Sequence, residues 1–206
     1  MEKRRKIKIA VTGGIGSGKS IFCKFLSELD IPVINVDEVS KELLENDNDI
    51  RKQIIKEFGA LSYNGQKANK KYLAEKVFIK HENVLKINSI LHPKVIKKVN
   101  ILADAILKKN DIVAAEAALI YEADMESNFD FVVLVTADED IRMKRKIELE
   151  DYSKEQFQKR NENQIPDSEK SKRADFIFEN NNGLAELKGK AFLLKNILLG
   201  LSTGNV

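Results

Sequence analysis

The chain has 206 residues, 43% hydrophobic and 33% charged, a balance that predicts a soluble globular protein with one sizeable core and excludes a disordered polyelectrolyte. With 35 basic and 32 acidic side chains the formal net charge is +3, which demands no nucleic-acid partner and suits a small anionic ligand. A lone Cys23 excludes an internal disulfide framework and no Cys/His cluster suggests zinc; no apolar run approaches the ~20 residues of a membrane span, and no signal-type apolar stretch follows the basic opening MEKRRK, so a cytoplasmic protein is expected.

In chain order, IKIAVT (7–12) reads as a short buried strand. A glycine-rich loop follows it, then a helix over SIFCKFLSELD in which Phe22, Phe25, Leu26 and Leu29 recur at helical spacing. IPVINV is a second strand, with Pro32 at its start rather than its centre. Residues 38–58 read as helical, and GALSYNGQKANK, which has no clear period, as a loop. Helical patterns resume over 71–79 and 82–107, where Pro93 predicts a break or a new helix start. DIVAAEAALI and DFVVLVTA are the next strands, and 138–164 is a charged stretch with too few apolar positions for a thickly buried helix. DFIFEN supplies the last strand and 184–200 a closing helix, before a tail expected to fray. Strands separated by helices predict an α/β fold with a parallel sheet covered on both faces. Without repeats or a Pro/Gly/Ser linker, the whole of 1–206 is expected to form one domain that carries insertions.

Gly13 to Ser20, GGIGSGKS, matches G-x-x-x-x-G-K-[ST] between a strand and a helix, where a phosphate-binding loop belongs. Glycines let successive N–H groups of Gly14, Ile15, Gly16, Ser17 and Gly18 turn inward around a phosphate, and the following helix adds its positive end. Lys19 would reach the β- and γ-phosphates and the Ser20 hydroxyl would ligate Mg²⁺. Two acids stand at the ends of other strands. Asp37, after IPVINV, suits a proton acceptor, a holder of metal-bound water or a helix N-cap. Glu116, ending IVAAE, suits a magnesium shell or an ion pair with a neighbouring lysine.

Beyond the loop, residues 7 to about 183 resemble the dephospho-coenzyme A kinase family, which phosphorylates the ribose 3′-hydroxyl of dephospho-coenzyme A with ATP. The resemblance is carried by TGGIGSGKS, IPVINVDEVSKELL, AEKVF followed by LKINSILHP, ALIYE and ADFIFENNNG, in that order. It implies a P-loop NTPase-type three-layer fold with a helical substrate-binding insertion over about 60–108 and a lid over about 139–173. It further implies ATP contacts from Gly14 to Ile21 and from Arg145, Arg160 and Asn180, with Gln164 on the lid pattern. Asp37 becomes the catalytic base, and Lys70, His92 and Glu122 fall near the acceptor. His92 is equally explained as a helix-start histidine before Pro93, and most of the lid cations, Arg142, Lys144, Lys146, Lys154 and Lys159 among them, as a solvated face. ATP and dephospho-coenzyme A are the implied small-molecule partners and Mg²⁺ the implied cofactor; neither nucleic acid nor membrane is called for, and the oligomeric state stays open.

The sequence departs from the family pattern where an aspartate becomes Asn35, a threonine Ile21, a proline Ala118, and arginines Leu149 and Lys70. Lysine at 70 keeps the charge but loses the bidentate fork. Two other readings compete: a P-loop kinase for another small acceptor, and a nonenzymatic nucleotide switch. A GTP switch is disfavoured because Asn69-Lys70-Lys71-Tyr72 lacks the aspartate of a guanine reader.

Overall fold

A computed structural model describes residues 4–77 and 79–204, without the side chain of His81. Phe78 of the AEKVF segment, the first three residues of the basic opening and the final Asn205 and Val206 lie outside the described residues. In chain order the elements are β1 (Ile7–Thr12), α1 (Lys19–Glu28), β2 (Val33–Asn35), α2 (Val36–Asn46), α3 (Asn48–Phe58), β3 (Tyr63–Asn64), β4 (Lys67–Ala68), α4 (Lys70–Val77) and α5 (His81–Leu107). They continue as β5 (Ile112–Glu116), β6 (Phe131–Thr136), α6 (Glu139–Glu150), α7 (Lys154–Glu162), α8 (Asp167–Ser171), β7 (Phe176–Glu179) and α9 (Leu184–Thr203). By internal contacts the chain divides into two compact units, residues up to 35 with those from 102 onward, and residues 36–101.

The first unit holds a five-stranded sheet in the order β2-β5-β1-β6-β7, with every pairing parallel. Its strands are apolar on both faces, as a sheet covered on both sides requires. Ile7, Ile9 and Val11 of β1 pack with Phe22 and Leu26 of α1 and with Leu187, Ala191, Leu194 and Leu198 of α9. Across this core the Phe22 and Phe178 rings stack with centroids 5.4 Å apart. The alternate residues Ala10 and Thr12 face the other way and are also fully buried. On that face Lys8 reaches Asp104 of α5 at 2.7 Å. The closing helix runs past the predicted residue 200 to Thr203, so the frayed tail is corrected over the described residues. The reason is local pairing: Arg5 N–H donates to the Ser202 carbonyl at 2.9 Å, and the Ser202 hydroxyl to the Arg5 carbonyl at 2.7 Å.

The unit 36–101 is built on Ile50, Ile54, Phe58, Tyr63, Leu73, Val77 and Ile90. The predicted helix over 38–58 is two helices, because Asp47 caps the second: its carboxylate accepts from Asp49 N at 2.9 Å and Ile50 N at 3.0 Å. The predicted loop contains a short antiparallel hairpin, Tyr63 opposite Ala68, turning at Gly65. Two-residue strands are too short for alternation to register in the sequence. Pro93 lies inside a continuous α5, so neither the break nor the helix-start role of His92 holds. Burial of Ile90, Val95 and Val99 carries the helix across a residue that cannot donate its own hydrogen bond.

The Ile50 N–H holds the Asp47 carboxyl below the usual aspartate range, with the Lys94 ammonium and the Asp49 N–H adding to it. A depressed carboxyl gives stability that is full above its unfolded pKa and lost as pH falls through the folded one. Asp47→Ala is expected to cost about 1 kcal/mol at neutral pH. In thermal melts the gap from wild type should shrink below about pH 4, where aspartates protonate; a pH-independent gap would contradict the cap assignment.

Candidate functional site

Every polar group of interest in the sheet unit gathers beyond the C-terminal ends of the parallel strands, where α/β sheets bind ligands. β1 ends at Thr12, and the glycine loop turns directly into α1. Gly13 passes so close to the neighbouring strand that a Cβ there would stand 2.1 Å from the Val135 carbonyl oxygen. Gly16 adopts φ +78°, a conformation that an L side chain rarely takes. Gly18, at the N-cap of α1, makes no side-chain cap, and no acid occupies the first turn. The positive end of α1 is therefore left for an anion.

At the start of α1, Lys19 and Ser20 converge on one oxygen of Glu116. Lys19 Nζ lies 3.1 Å from Glu116 Oε1, and the Ser20 hydroxyl donates to the same oxygen at 2.5 Å. Glu116 is only 8% exposed, so the carboxylate meets its lysine in a poorly solvated place. Of the two readings of Glu116, the ion pair is the one seen here, and its partner is the P-loop lysine itself. Asn35 is the register partner of Glu116 on β2, so the neighbouring strand end offers an uncharged amide. Ile21, in the first turn of α1, is 41% exposed. Cys23 is buried behind this site; desolvation, with Glu116 adding and Lys19 opposing, pushes its thiol far above the usual range and leaves it unreactive.

Asn180, beyond β7, meets the loop from the other side. Its Nδ2 donates to the Ser17 carbonyl at 2.8 Å, and its own carbonyl accepts from Arg145 Nη2 at 2.7 Å. Arg145 and Asn180 are thereby brought to the P-loop as a pair. Arg145 Nη1 and Asn180 Oδ1 are buried without a hydrogen-bond partner among the described residues. Burial also lowers the proton affinity of Arg145. Gln164 reaches the loop too, its Oε1 accepting from Ile15 N at 3.0 Å. Arg160 goes elsewhere: it is exposed, with its guanidinium 5.6 Å from the Tyr152 ring centroid.

The charged stretch 138–164 forms two helices, α6 and α7, the second opened by a capping box between Ser153 and Gln156. The largest departure from the solvated face is Arg142, 6% exposed, whose side chain lies against the P-loop, and Lys146 is part-buried as well. Phe157, fully buried 5.9 Å from that guanidinium, supplies the apolar contact that sparse patterning concealed. Leu149, by contrast, is 77% exposed.

Glu122 belongs to a second buried cluster. Its Oε1 accepts from Ile165 N at 2.8 Å and lies 3.0 Å from Lys170 Nζ. Lys170, a fully buried lysine that sequence reading missed, sits in α8. The same helix contributes Asp167, which accepts from the Thr136 hydroxyl at 2.7 Å. At the other end of the sheet a cleft of about 600 Å³ is lined by Lys6, Lys8, Lys108 and Asp130, but Lys6 and Lys8 are already ion-paired. The chemistry-bearing groups are not there.

Three predicted site residues belong to the unit 36–101. Asp37 is exposed in the first turn of α2, one residue inside the helix rather than at its N-cap. Lys70 opens α4 at the surface with Nζ 3.4 Å from Glu45 Oε1, and His92 is half-buried within α5.

A protein-family model described as dephospho-CoA kinase matches residues 7–186. A dephospho-CoA kinase of Bacteroides fragilis is 35% identical over 84% of this chain and 84% of its own length. Among solved structures, TT1252 from Thermus thermophilus has a TM-score of 0.80 at 29% identity, covering 96% of this chain and 99% of that one. A dephospho-CoA kinase from Campylobacter jejuni has a TM-score of 0.63 at 25% identity, covering 94% and 97%.

Removing one partner of a buried ion pair leaves the other charge unpaired, typically at a cost of about 3–5 kcal/mol. Lys170→Met is expected to lose stability on that scale in urea unfolding, and Glu122→Gln in the same chain to recover part of it. A change under about 0.5 kcal/mol, the range of an ordinary surface substitution, would mean the pair anchors nothing.

Proposed function

We propose that this chain, which belongs to the dephospho-coenzyme A kinase family, transfers the γ-phosphoryl group of ATP to the ribose 3′-hydroxyl of dephospho-coenzyme A. The observation that carries this reading is the joining of a family match over 7–186 to a P-loop whose Lys19 and Ser20 meet Glu116 at the strand ends. In-line phosphoryl transfer asks the protein for position and charge more than for covalent chemistry.

In the proposed mechanism the Gly14 amide, the amides from Gly16 to Ile21 and the Lys19 ammonium hold the β- and γ-phosphates, while the Ile15 N–H stays with Gln164 Oε1. Lys19 exchanges its contact with Glu116 for the phosphates as ATP enters. Ser20 and Glu116 supply hard oxygens of the type Mg²⁺ prefers, few enough for the ion to keep water and phosphate ligands as well. When bound there, Mg²⁺ offsets the charge of the phosphate oxygens. Asn35, uncharged beside Glu116, leaves that acid as the charged member of the pair of strand ends. Asp37 accepts the proton of the attacking hydroxyl, and its exposed place in the first turn of α2 leaves the carboxylate open to an acceptor.

The helices α6 to α8 form the lid, 139–173; Arg145 meets the loop through Asn180, and Arg160 joins on closure. The unpartnered Arg145 Nη1 and Asn180 Oδ1 suit the purine and its phosphates. The insertion, about 60–108, takes the acceptor, with Lys70 and His92 as its polar contacts, and Glu122 is proposed as a further acceptor-site residue. Within the described residues no helix is long and apolar enough to cross a membrane, and a cytoplasmic site of action is proposed.

The reading is tested by an ATP and Mg²⁺ assay offering dephospho-coenzyme A beside adenosine, AMP and a nucleoside mixture. Phosphate on the 3′-hydroxyl of dephospho-coenzyme A alone is expected. Transfer only to another acceptor would retain a P-loop kinase and discard this substrate, and ATP binding without transfer would favour a switch. Lys19→Ala should lower kcat by about 10²–10³, and Asp37→Asn by about 10² or more, with both variants folded. Wild-type turnover by the Asp37 variant would remove the base assignment.

A further inference from the structure

The phosphate loop is gripped by a side chain that no part of the P-loop motif contains. Arg142 spreads its guanidinium over three acceptors: Nε donates to the Ala137 carbonyl at 3.0 Å, and Nη1 to Asn161 Oδ1 at 3.0 Å and the Ile15 carbonyl at 3.3 Å. A Cβ on Gly14 would stand 2.4 Å from Arg142 Nη1, and one on Gly16 would stand 2.5 Å from the Arg142 carbonyl oxygen. Two glycines of the loop thus meet one residue of α6. Gln164 takes the Ile15 N–H at 3.0 Å, so the loop's amide and carbonyl at Ile15 are both held by side chains from 142–164.

The electrostatics are lopsided. All three close acceptors of this buried guanidinium are uncharged. The carboxylates around it are Glu139, 3.9 Å from Nη2 and 61% exposed, and Asp167, which is itself bonded to Thr136. Asp167 Oδ1 lies 3.2 Å from the Gly14 Cβ position that stands 2.4 Å from Nη1. A charge held in this way is expensive unless an anion complements it. The loop beside it is where a polyanion is expected.

We propose that Arg142 is a positioning residue for nucleotide phosphate binding. Its fork draws the Ile15 carbonyl outward and fixes the turn from Gly14 to Gly16, and Asn161 locks the fork in place. Its charge adds to the positive potential that the phosphates enter. The inference rests on the P-loop nucleotide reading above. A lysine cannot replace it, because a single ammonium cannot reach the Ala137 carbonyl, Asn161 and the Ile15 carbonyl from one position.

The test measures ADP affinity by calorimetry and the two KM values in steady-state turnover, for wild type, Arg142→Met, Arg142→Lys, Asn161→Ala and the Met/Ala double variant. In Arg142→Met, ADP affinity is expected to fall about tenfold, the size of one lost charge-assisted contact. KM for ATP should rise in step while KM for dephospho-coenzyme A stays within about twofold, the split that marks lost nucleotide binding. Arg142→Lys should recover little, and Asn161→Ala should weaken ADP binding while adding nothing to Arg142→Met. Wild-type ADP affinity in a folded Arg142→Met, or equal rises in both KM values, would overturn the proposal. If Arg142→Met does not fold, Arg142→Lys and Asn161→Ala decide it: wild-type ADP affinity in both would overturn it. A wild-type chain that binds no ADP would instead remove the nucleotide reading, and this inference with it.

Discussion

The rest of the structure depends on a backbone running against another backbone. Between β1 and α1 the chain passes the Val135 carbonyl of β6 so closely that any side chain at Gly13 would collide with it. That approach is possible only because β1 lies between β5 and β6, with its C-terminal end next to theirs. Parallel pairing then puts the ends of β2, β5, β6 and β7 around the same loop. Glu116, Thr136 and Asn180 reach the site for this reason, each from a different stretch of sequence.

The site is also a problem in buried charge. Lys19 with Glu116 and Lys170 with Glu122 are buried or nearly buried pairs, and neither counts as a simple gain in stability, because desolvation offsets much of the attraction. What such pairs fix is geometry. The first holds the P-loop lysine against a carboxylate at the end of β5. The second ties α8 to the segment after β5, and with it Asp167, whose carboxylate reaches Thr136 at the end of β6. Arg142 and Arg145 differ from these lysines in having carbonyl or amide oxygens as their close acceptors.

The departures from the family pattern acquire a physical shape in this frame. Asn35 sits in register with Glu116, so the change removes charge from one strand end and leaves it on the next. Ala118 still receives the Thr12 hydroxyl through its carbonyl at 3.3 Å, a contact that does not need proline. Leu149 stands exposed on α6, seven residues after the buried Arg142 on the same helix.

The sequence by itself determined the alternation of strands and helices, the glycine loop with its lysine and serine, and the family, because these are written in local periodicity and in a contiguous motif. Arg145, Asn180 and Gln164, singled out through the family pattern, come to the loop region by contacts that no local pattern carries. The break at Asp47 was within reach, since Asn46-Asp47-Asn48-Asp49 is a run of cap-forming residues. The hairpin was not, being too short for a period, and the continuity of α5 through Pro93 was hidden by a residue that locally argues for a break. Only tertiary structure decided that Arg142 is buried in a stretch reading as solvated charge and that Lys170, just beyond that stretch, is buried as well. Their partners, Ile15 and Glu122, lie 127 and 48 residues away along the chain. Burial of a charge depends on which distant groups the fold brings within a few ångströms of it, and no local pattern carries that information.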